Sequence, residues 1–323
     1  MTSAIDVARE PGAEAEVTGI EARTPLELFW RRLRDDRVAM TAFGFIVLLV
    51  IVALAAPLIV KLVGARPPNE QATKYLDQFG TPTGPTSHNI FGVDPLGRDV
   101  FSRVLYGARV SLEVAIIATA LSVFIGVVAG MVAAFYRGWV DTVISRLIDV
   151  LLAFPILLLA LGLAAACSLG HGCLGGIVKP GLTVVIFVIA FVNWTYIARI
   201  IRGQVLSLRE KEFVEASRSL GASNGRIIFR EILPNLVAPI IVYTTLIIPQ
   251  NILFEAALSF LGVGVQPPNP SWGAMIADTT DIFDTAWWYM VFPGAALLMT
   301  VLAFNLLGDG LQDALNPRAG RNE

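Results

Sequence analysis

Metal and thiol chemistry have little to work with in this sequence, which holds two histidines and two cysteines among 323 residues. Charge is scarce as well: Asp, Glu, Lys and Arg make up 15% of the chain, against about 25% in an ordinary soluble domain. Neither sign dominates. The 24 basic residues face 26 acidic ones for a formal net charge of −2, so overall charge selects no nucleic acid or other polyanion as a partner. With 55% hydrophobic residues, this scarcity excludes a typical cytosolic globular domain and a disordered chain. Catalytic signatures are missing too. There is no Gly-x-x-x-x-Gly-Lys-Ser/Thr phosphate cradle, no Gly-x-Ser-x-Gly nucleophile elbow, no His-Glu-x-x-His and no Cys-x-x-Cys. The expectation is a non-catalytic chain with no metal site and no cofactor of its own.

What the sequence does have is long apolar runs. A helix crossing a hydrocarbon core of about 30 Å needs about 20 apolar residues. Six runs qualify, at 38–60, 114–136, 150–167, 181–198, 234–261 and 287–307, which predicts an all-α, multi-pass membrane protein of six transmembrane helices. Placing the N-terminus inside puts seventeen of the 24 Lys and Arg residues on the side of both termini and seven on the other. That bias predicts cytoplasmic N- and C-termini.

The segments between the runs suggest a division of labour. Residues 1–22, rich in Ala, Glu and Gly, read as a disordered cytoplasmic tail. In 23–37, Leu26, Phe29, Trp30 and Leu33 recur at helical spacing beside Arg31, Arg34 and Arg37, which suits an interfacial elbow helix touching membrane lipid. The first span occupies 38–63. An extracytoplasmic loop follows at 64–109, broken by Pro and Gly and closing on a short amphipathic helix at 99–106. A core of five spans covers 110–310, and 311–323 is a cytoplasmic tail. In a second outer loop, Gln266, Pro267, Pro268 and Trp272 offer a rigid surface with an exposed Trp for a docking partner, or merely a stiff closure between helices. Cys167 and Cys173 flank a tight outer turn and are either a disulfide or free thiols. His171 between them is too little for a metal site.

The inner segment 204–233 carries the most information. Phe213, Ala216 and Leu220 form an apolar face, with Glu212, Glu215, Arg218 and Ser219 polar. Gly221 supplies a left-handed helix stop. A second short helix follows, with Ile227, Ile228 and Ile232 apolar, and Leu233-Pro234 restarts the chain as the next span. This is a two-helix knuckle tied at both ends to spanning helices. Within the spans, Asn193, Gln250, Asn251 and Glu255 are candidates for lining a path or for helix packing, because a carboxylate is costly in hydrocarbon and must meet a partner or water. Gly126 and Gly130 offer a close helix contact.

Glu215-Ala216-Ser217, Gly221 and Leu233-Pro234 together resemble the EAA motif of ABC-importer permeases, with Ser217 for the second Ala and Glu231 where Ile is expected. Phe91-Gly-Val-Asp-Pro-Leu-Gly-Arg-Asp99, Leu258-Ser-Phe-Leu-Gly-Val-Gly-Val-Gln-Pro-Pro268 with Ser271-Trp-Gly273, and Leu307-Gly-Asp-Gly-Leu-Gln-Asp-Ala-Leu-Asn-Pro-Arg318 are similar to signatures of C-type dipeptide/oligopeptide permeases. The resemblance covers about 24–318. It implies a type I importer fold in a bacterial plasma (inner) membrane and a homologous B-type permease. It also implies two cytoplasmic ATPase subunits that hold ATP and Mg, and an extracytoplasmic solute-binding protein. It casts Glu212, Phe213, Glu215, Ala216, Ser217, Arg218, Leu220, Gly221 and Ala222 as the ATPase-coupling element, with Leu233 and Pro234 as its turn and helix restart. The resemblance spans peptide permeases and relatives for nickel or other small solutes. The other classes weighed on the residues are an ATP-independent secondary transporter or channel, and a non-transporting scaffold.

Overall fold

The computed structural model describes residues 25–168 and 172–315. The tail expected over 1–22, His171, and 316–323 of the C-terminal segment lie outside these. The described chain is α-helical, with five helices long and apolar enough to cross a membrane, or six if one bent pair is a single span.

Helix α1 (Pro25–Asp35) ends at Asp36, whose Oδ1 accepts the Val38 and Ala39 amides at 2.9 and 3.1 Å and so caps α2 (Arg37–Leu54). The elbow's apolar face is largely occupied by protein. Phe29 and Leu33 pack with Ala39 and with Ala314 near the end of the chain, while Trp30 stays exposed.

Three expected boundaries move, each for a backbone reason. The first span is interrupted: α2 stops at Leu54 and α3 (Ala56–Val63) begins with Pro57 in its first turn, because proline has no amide to bond back to Ala53. The separate amphipathic helix and the 109/110 boundary vanish. Asp99 accepts the Ser102 amide at 2.9 Å and starts one 37-residue helix, α4 (Val100–Tyr136). Burial pushes the Asp99 carboxyl above its ordinary pKa in spite of that bond. The third span is two helices, α5 (Gly138–Ala153) and α6 (Ile156–Ser168), bent by 91°. Phe154 is extended, as a residue before proline prefers.

The rest is α7 (Leu182–Leu208), α8 (Glu212–Ser219), α9 (Asn224–Arg226), α10 (Leu233–Phe260), α11 (Trp272–Ala277) and α12 (Trp287–Leu315). Helix α12 runs past residue 310, so the expected C-terminal tail starts as helix. Helix α10 passes through Pro239 and Pro249 without ending.

Helix α4 is the central element and lies closest to α7. A Cβ at Gly126 would stand 2.8 Å from the Trp194 carbonyl oxygen, and one at Gly130 would stand 2.6 Å from that of Ala198. Small residues let the two backbones approach, and dispersion then supplies the attraction that hydrocarbon cannot. At the proline-rich end, Asp94 sits fully buried, pairs with Arg98 at 2.5 Å and lies 3.5 Å from Arg103. Trp288 donates to the Val93 carbonyl at 3.1 Å. These contacts clamp the 64–99 segment onto α4 and α12.

A side chain at the α4–α7 seam has nowhere to go. Gly130→Val is expected to destabilise the purified protein by about 1–3 kcal/mol or more, read as a lower thermal midpoint in detergent. Gly44→Val, where a Cβ meets nothing within 4 Å, leaves the midpoint unchanged.

Candidate functional site

At the end of the molecule where α1 and the last turn of α12 lie, α7 hands over to a compact knuckle. Helix α8 turns Val214 fully inward, where it joins Ile227, Ile232 and Leu236 with Ala134 and Phe135 of α4 and Ile201 and Val205 of α7. The apolar face read from the sequence, Phe213 with Ala216 and Leu220, points outward: Phe213 is 39% and Leu220 88% exposed. Glu212, Glu215 and Arg218 are exposed with it and Ser217 is partly buried. The inward residue, Val214, escaped the sequence reading because a single valine between charged neighbours has no period of its own.

The end of α8 is built as its sequence suggests. Gly221 has φ +78°; its amide bonds the Arg218 carbonyl at 3.0 Å and the Ala222 amide bonds that of Ser217 at 3.1 Å. This pair of bonds is the Schellman cap, which needs a residue in the left-handed region. A Cβ at Gly221 would meet nothing within 4 Å, so the position demands a backbone angle and leaves space free.

Beyond it, Ser223 caps the next turn through the Arg226 amide. The chain does not restart at Leu233-Pro234. Residues Asn224–Phe260 form one continuous helix, with a π-helical stretch at Ile227–Ile232 and the Leu233 amide bonded to Ile228 five residues back. The wider turn accommodates Pro234, which has no amide and whose ring would press on the carbonyl of Arg230 in a regular helix. It also explains Glu231: Ile232, buried, takes the inward place that an apolar residue at 231 would fill, and Glu231 is only partly buried.

In the spans, the candidate polar residues fall into two groups. Asn193 of α7 donates to Asn251 of α10 at 2.6 Å, and Asn251 donates to Thr119 of α4 at 2.7 Å. One helical turn along, Glu255 accepts Ser111 of α4 at 2.9 Å and Ser259 at 2.7 Å. Ser259 in turn accepts the Val265 amide at 3.0 Å. Asn251 and Glu255 are fully buried within this chain, so they bind helices together and do not line an open path. Gln250 alone of the four is exposed and Asn193 is partly so.

The outer-loop candidates separate in the same way. Gln266, Pro267 and Pro268 are exposed. Trp272 is not: its ring is fully buried and its Nε1 donates to the Val104 carbonyl at 3.1 Å, so it is a packing anchor and is removed from the docking surface. Cys167 and Cys173 are disulfide-bonded.

The family model described as binding-protein-dependent transport system inner membrane component matches residues 126–321, three-fifths of the chain. The chain belongs to that family. The model for the N-terminal TM domain of oligopeptide transport permease C matches residues 24–78. Relatives include the glutathione transport system permease protein GsiD of Shigella boydii and of Shigella sonnei, each 42% identical over 298 residues and 92% of both chains. Among solved structures, inward-facing conformations of the MetNI methionine ABC transporter share the fold. The match has a TM-score of 0.55 and 18% identity over 66% of this chain and 96% of that one. An amino acid ABC transporter matches with a TM-score of 0.50 at 17% identity, over 65% of this chain and 92% of that one. This protein is thus a permease subunit of a binding-protein-dependent ABC importer.

The burial of Trp272 and Glu255 has measurable consequences. Trp272→Ala is expected to lower stability by about 3–5 kcal/mol, whereas a docking residue leaves the thermal midpoint untouched. Glu255→Ala strands two buried hydroxyls and is expected to cost about 2–4 kcal/mol. Glu255→Gln, which keeps a carbonyl acceptor, costs less in the same thermal measurement.

Proposed function

We propose that this permease is the C-type subunit of an ATP-driven peptide importer of the bacterial plasma membrane, with both termini cytoplasmic, and that α8 is the element through which ATPase subunits move it. The supporting observation is the outward apolar face of α8. Phe213, Ala216 and Leu220 are exposed on a helix whose opposite side is locked by Val214 and whose far end is fixed by the Gly221 cap. An apolar ridge rimmed by Glu212, Glu215 and Arg218 suits a groove on a soluble partner, with a hydrophobic centre and a polar rim. ATP and Mg belong to that partner. A push on the ridge passes through the short turns at 209–211 and 220–223 into α7 and into the continuous Asn224–Phe260 helix. A homologous B-type permease completes the path, and a solute-binding protein delivers substrate to the far end, where Gln266, Pro267 and Pro268 are accessible.

The substrate class follows from the relatives. Curated relatives are named for glutathione transport, and the N-terminal match is to an oligopeptide permease. Short peptides, γ-glutamyl peptides among them, are therefore the proposed cargo, selected by the binding protein. Exposed Trp30 and Arg31 of α1 suit contact with lipid headgroups at the cytoplasmic face.

The test separates angle from bulk at Gly221. In the assembled transporter in vesicles, Gly221→Asn is expected to keep at least half of ATP-driven uptake, because asparagine tolerates the left-handed region. Gly221→Val is expected to abolish uptake. Normal uptake and normal substrate-stimulated ATP hydrolysis in the valine variant would overturn the assignment of α8.

A further inference from the structure

A helix end leaves its last carbonyls without intrahelical donors. At the end of α4, the Arg137 amide takes the Ala133 carbonyl at 3.1 Å. The next two carbonyls are satisfied from another element: Arg209 Nη1 donates to Ala134 O at 2.9 Å and to Phe135 O at 2.8 Å. Arg209 is the first residue after α7 and opens the segment that leads to α8. Its cation also opposes the negative end of the α4 dipole. Its neighbour Glu210 accepts Arg137 Nη2 at 2.6 Å.

The turn being held is a strained one. Arg137 has φ 54° and ψ −163°, a conformation that a residue with a Cβ keeps only where its surroundings enforce it; Gly138 follows with φ 60°. Arg202 of α7 adds two bonds to Asp141 of α5, at 2.6 and 2.8 Å, and Arg199 reaches Asp149 at 2.8 Å. Beneath these polar contacts, Ala134 and Phe135 share one apolar cluster with Val214 and Ile227.

We propose that the α4–α5 turn, residues 134–141, is a further output of the coupling element: held by Arg209, Glu210 and Arg202, it moves with α8 as one rigid body and carries ATPase motion into α4 and α5. This rests on the reading of α8 given above and adds a route to it. Arg209 is the positioning residue of that route. The Arg137–Glu210 pair is exposed on both sides and adds little energy, but it reports the geometry. Without Arg209, motion of α8 still reaches α7 and α10, while α4 lags behind and the two halves of the core move out of step.

The test uses the complete transporter with its ATPase subunits in vesicles. Arg137→Cys combined with Glu210→Cys is bridged by a reducible bis-methanethiosulfonate; Cys167 and Cys173, bonded to each other, do not compete. Bridging is expected to leave uptake within about twofold of the unbridged variant, because the two positions keep their separation through the cycle. Uptake that stops on bridging and returns on reduction would overturn the rigid unit. Arg209→Ala is expected to cut uptake about tenfold while ATP hydrolysis continues, with Arg209→Lys between the two, as the loss of charge-assisted bonds implies. An unchanged ratio of uptake to ATP hydrolysed in Arg209→Ala would overturn the role of Arg209, and if that variant fails to assemble, the bridging result decides alone. Failure of the α8 reading itself is distinguishable, since it shows as normal transport in Gly221→Val.

Discussion

The close seam between α4 and α7 is the constraint on which the rest of this structure depends. Lipid tails are as apolar as leucine, so burial of side chains gives two helices little reason to associate, and the attraction must come from contact at short range. Gly126 and Gly130 provide that by bringing α4 against the backbone of Trp194 and Ala198. Helix α4 then contributes side chains to four of the main apolar clusters, from Val100 and Val104 at one end to Ala134 and Phe135 at the other. Helices α7, α10 and α2 pack directly on α4, while α12 is held chiefly by α10 and α2, and α6 by α7.

The two ends of α4 are secured by different chemistry. At the proline-rich end the fixings are buried and dense: Trp272 on the Val104 carbonyl, Glu255 on Ser111 and, through Ser259, on the Val265 amide. Gly273 lies so close to Ala256 that a Cβ would stand 2.4 Å from its carbonyl oxygen. A carboxylate at hydrocarbon depth is affordable only with such partners. The 262–273 loop is thus welded to α4 and α10. At the basic end the fixings are arginines reaching across open junctions, with Arg137, Glu210, Arg199 and Asp149 more than two-fifths exposed. Exposed ion pairs add little energy, so this end is held chiefly by the bonds of Arg209 to the last α4 carbonyls and of Arg202 to Asp141.

Much of this was legible in the sequence, and the reason is physical. Apolar runs, positive φ at Gly221 and the Glu215-Ala216-Ser217 motif are local signals, and each concerns residues within a few positions of one another. The resemblance to permease signatures added the family. Errors arose where local pattern met tertiary context. The ring of Trp272, just after three prolines, looks like a surface feature because the sequence does not reveal Val104 waiting 168 positions away. Phe213 and Leu220 group as one apolar face by their spacing, but spacing alone does not tell whether such a face turns to the protein's own core or away from it. Glu255 carried a correct warning, that a carboxylate there needs partners, but nothing near it named Ser111. The arginine contacts at the end of α4 left no signal at all, since a basic residue beside a helix end is common.

The π-helical stretch before Pro234 joins these points. A regular helix from Ile227 into Leu236 would press the Pro234 ring onto the Arg230 carbonyl, and a break would separate the knuckle from α10. The wider turn avoids both outcomes. It keeps the helix continuous from Asn224 to Phe260 and rotates Ile232 rather than Glu231 toward Val214 and Phe135. A departure from the expected motif at 231 is thereby tolerated, because the register shift moves the apolar requirement one residue along. Stiffness follows from the same feature: the helix runs unbroken from Asn224 into the span, and Val214, seated in the core shared by α4 and α7, anchors the inner side of α8 to the spanning helices.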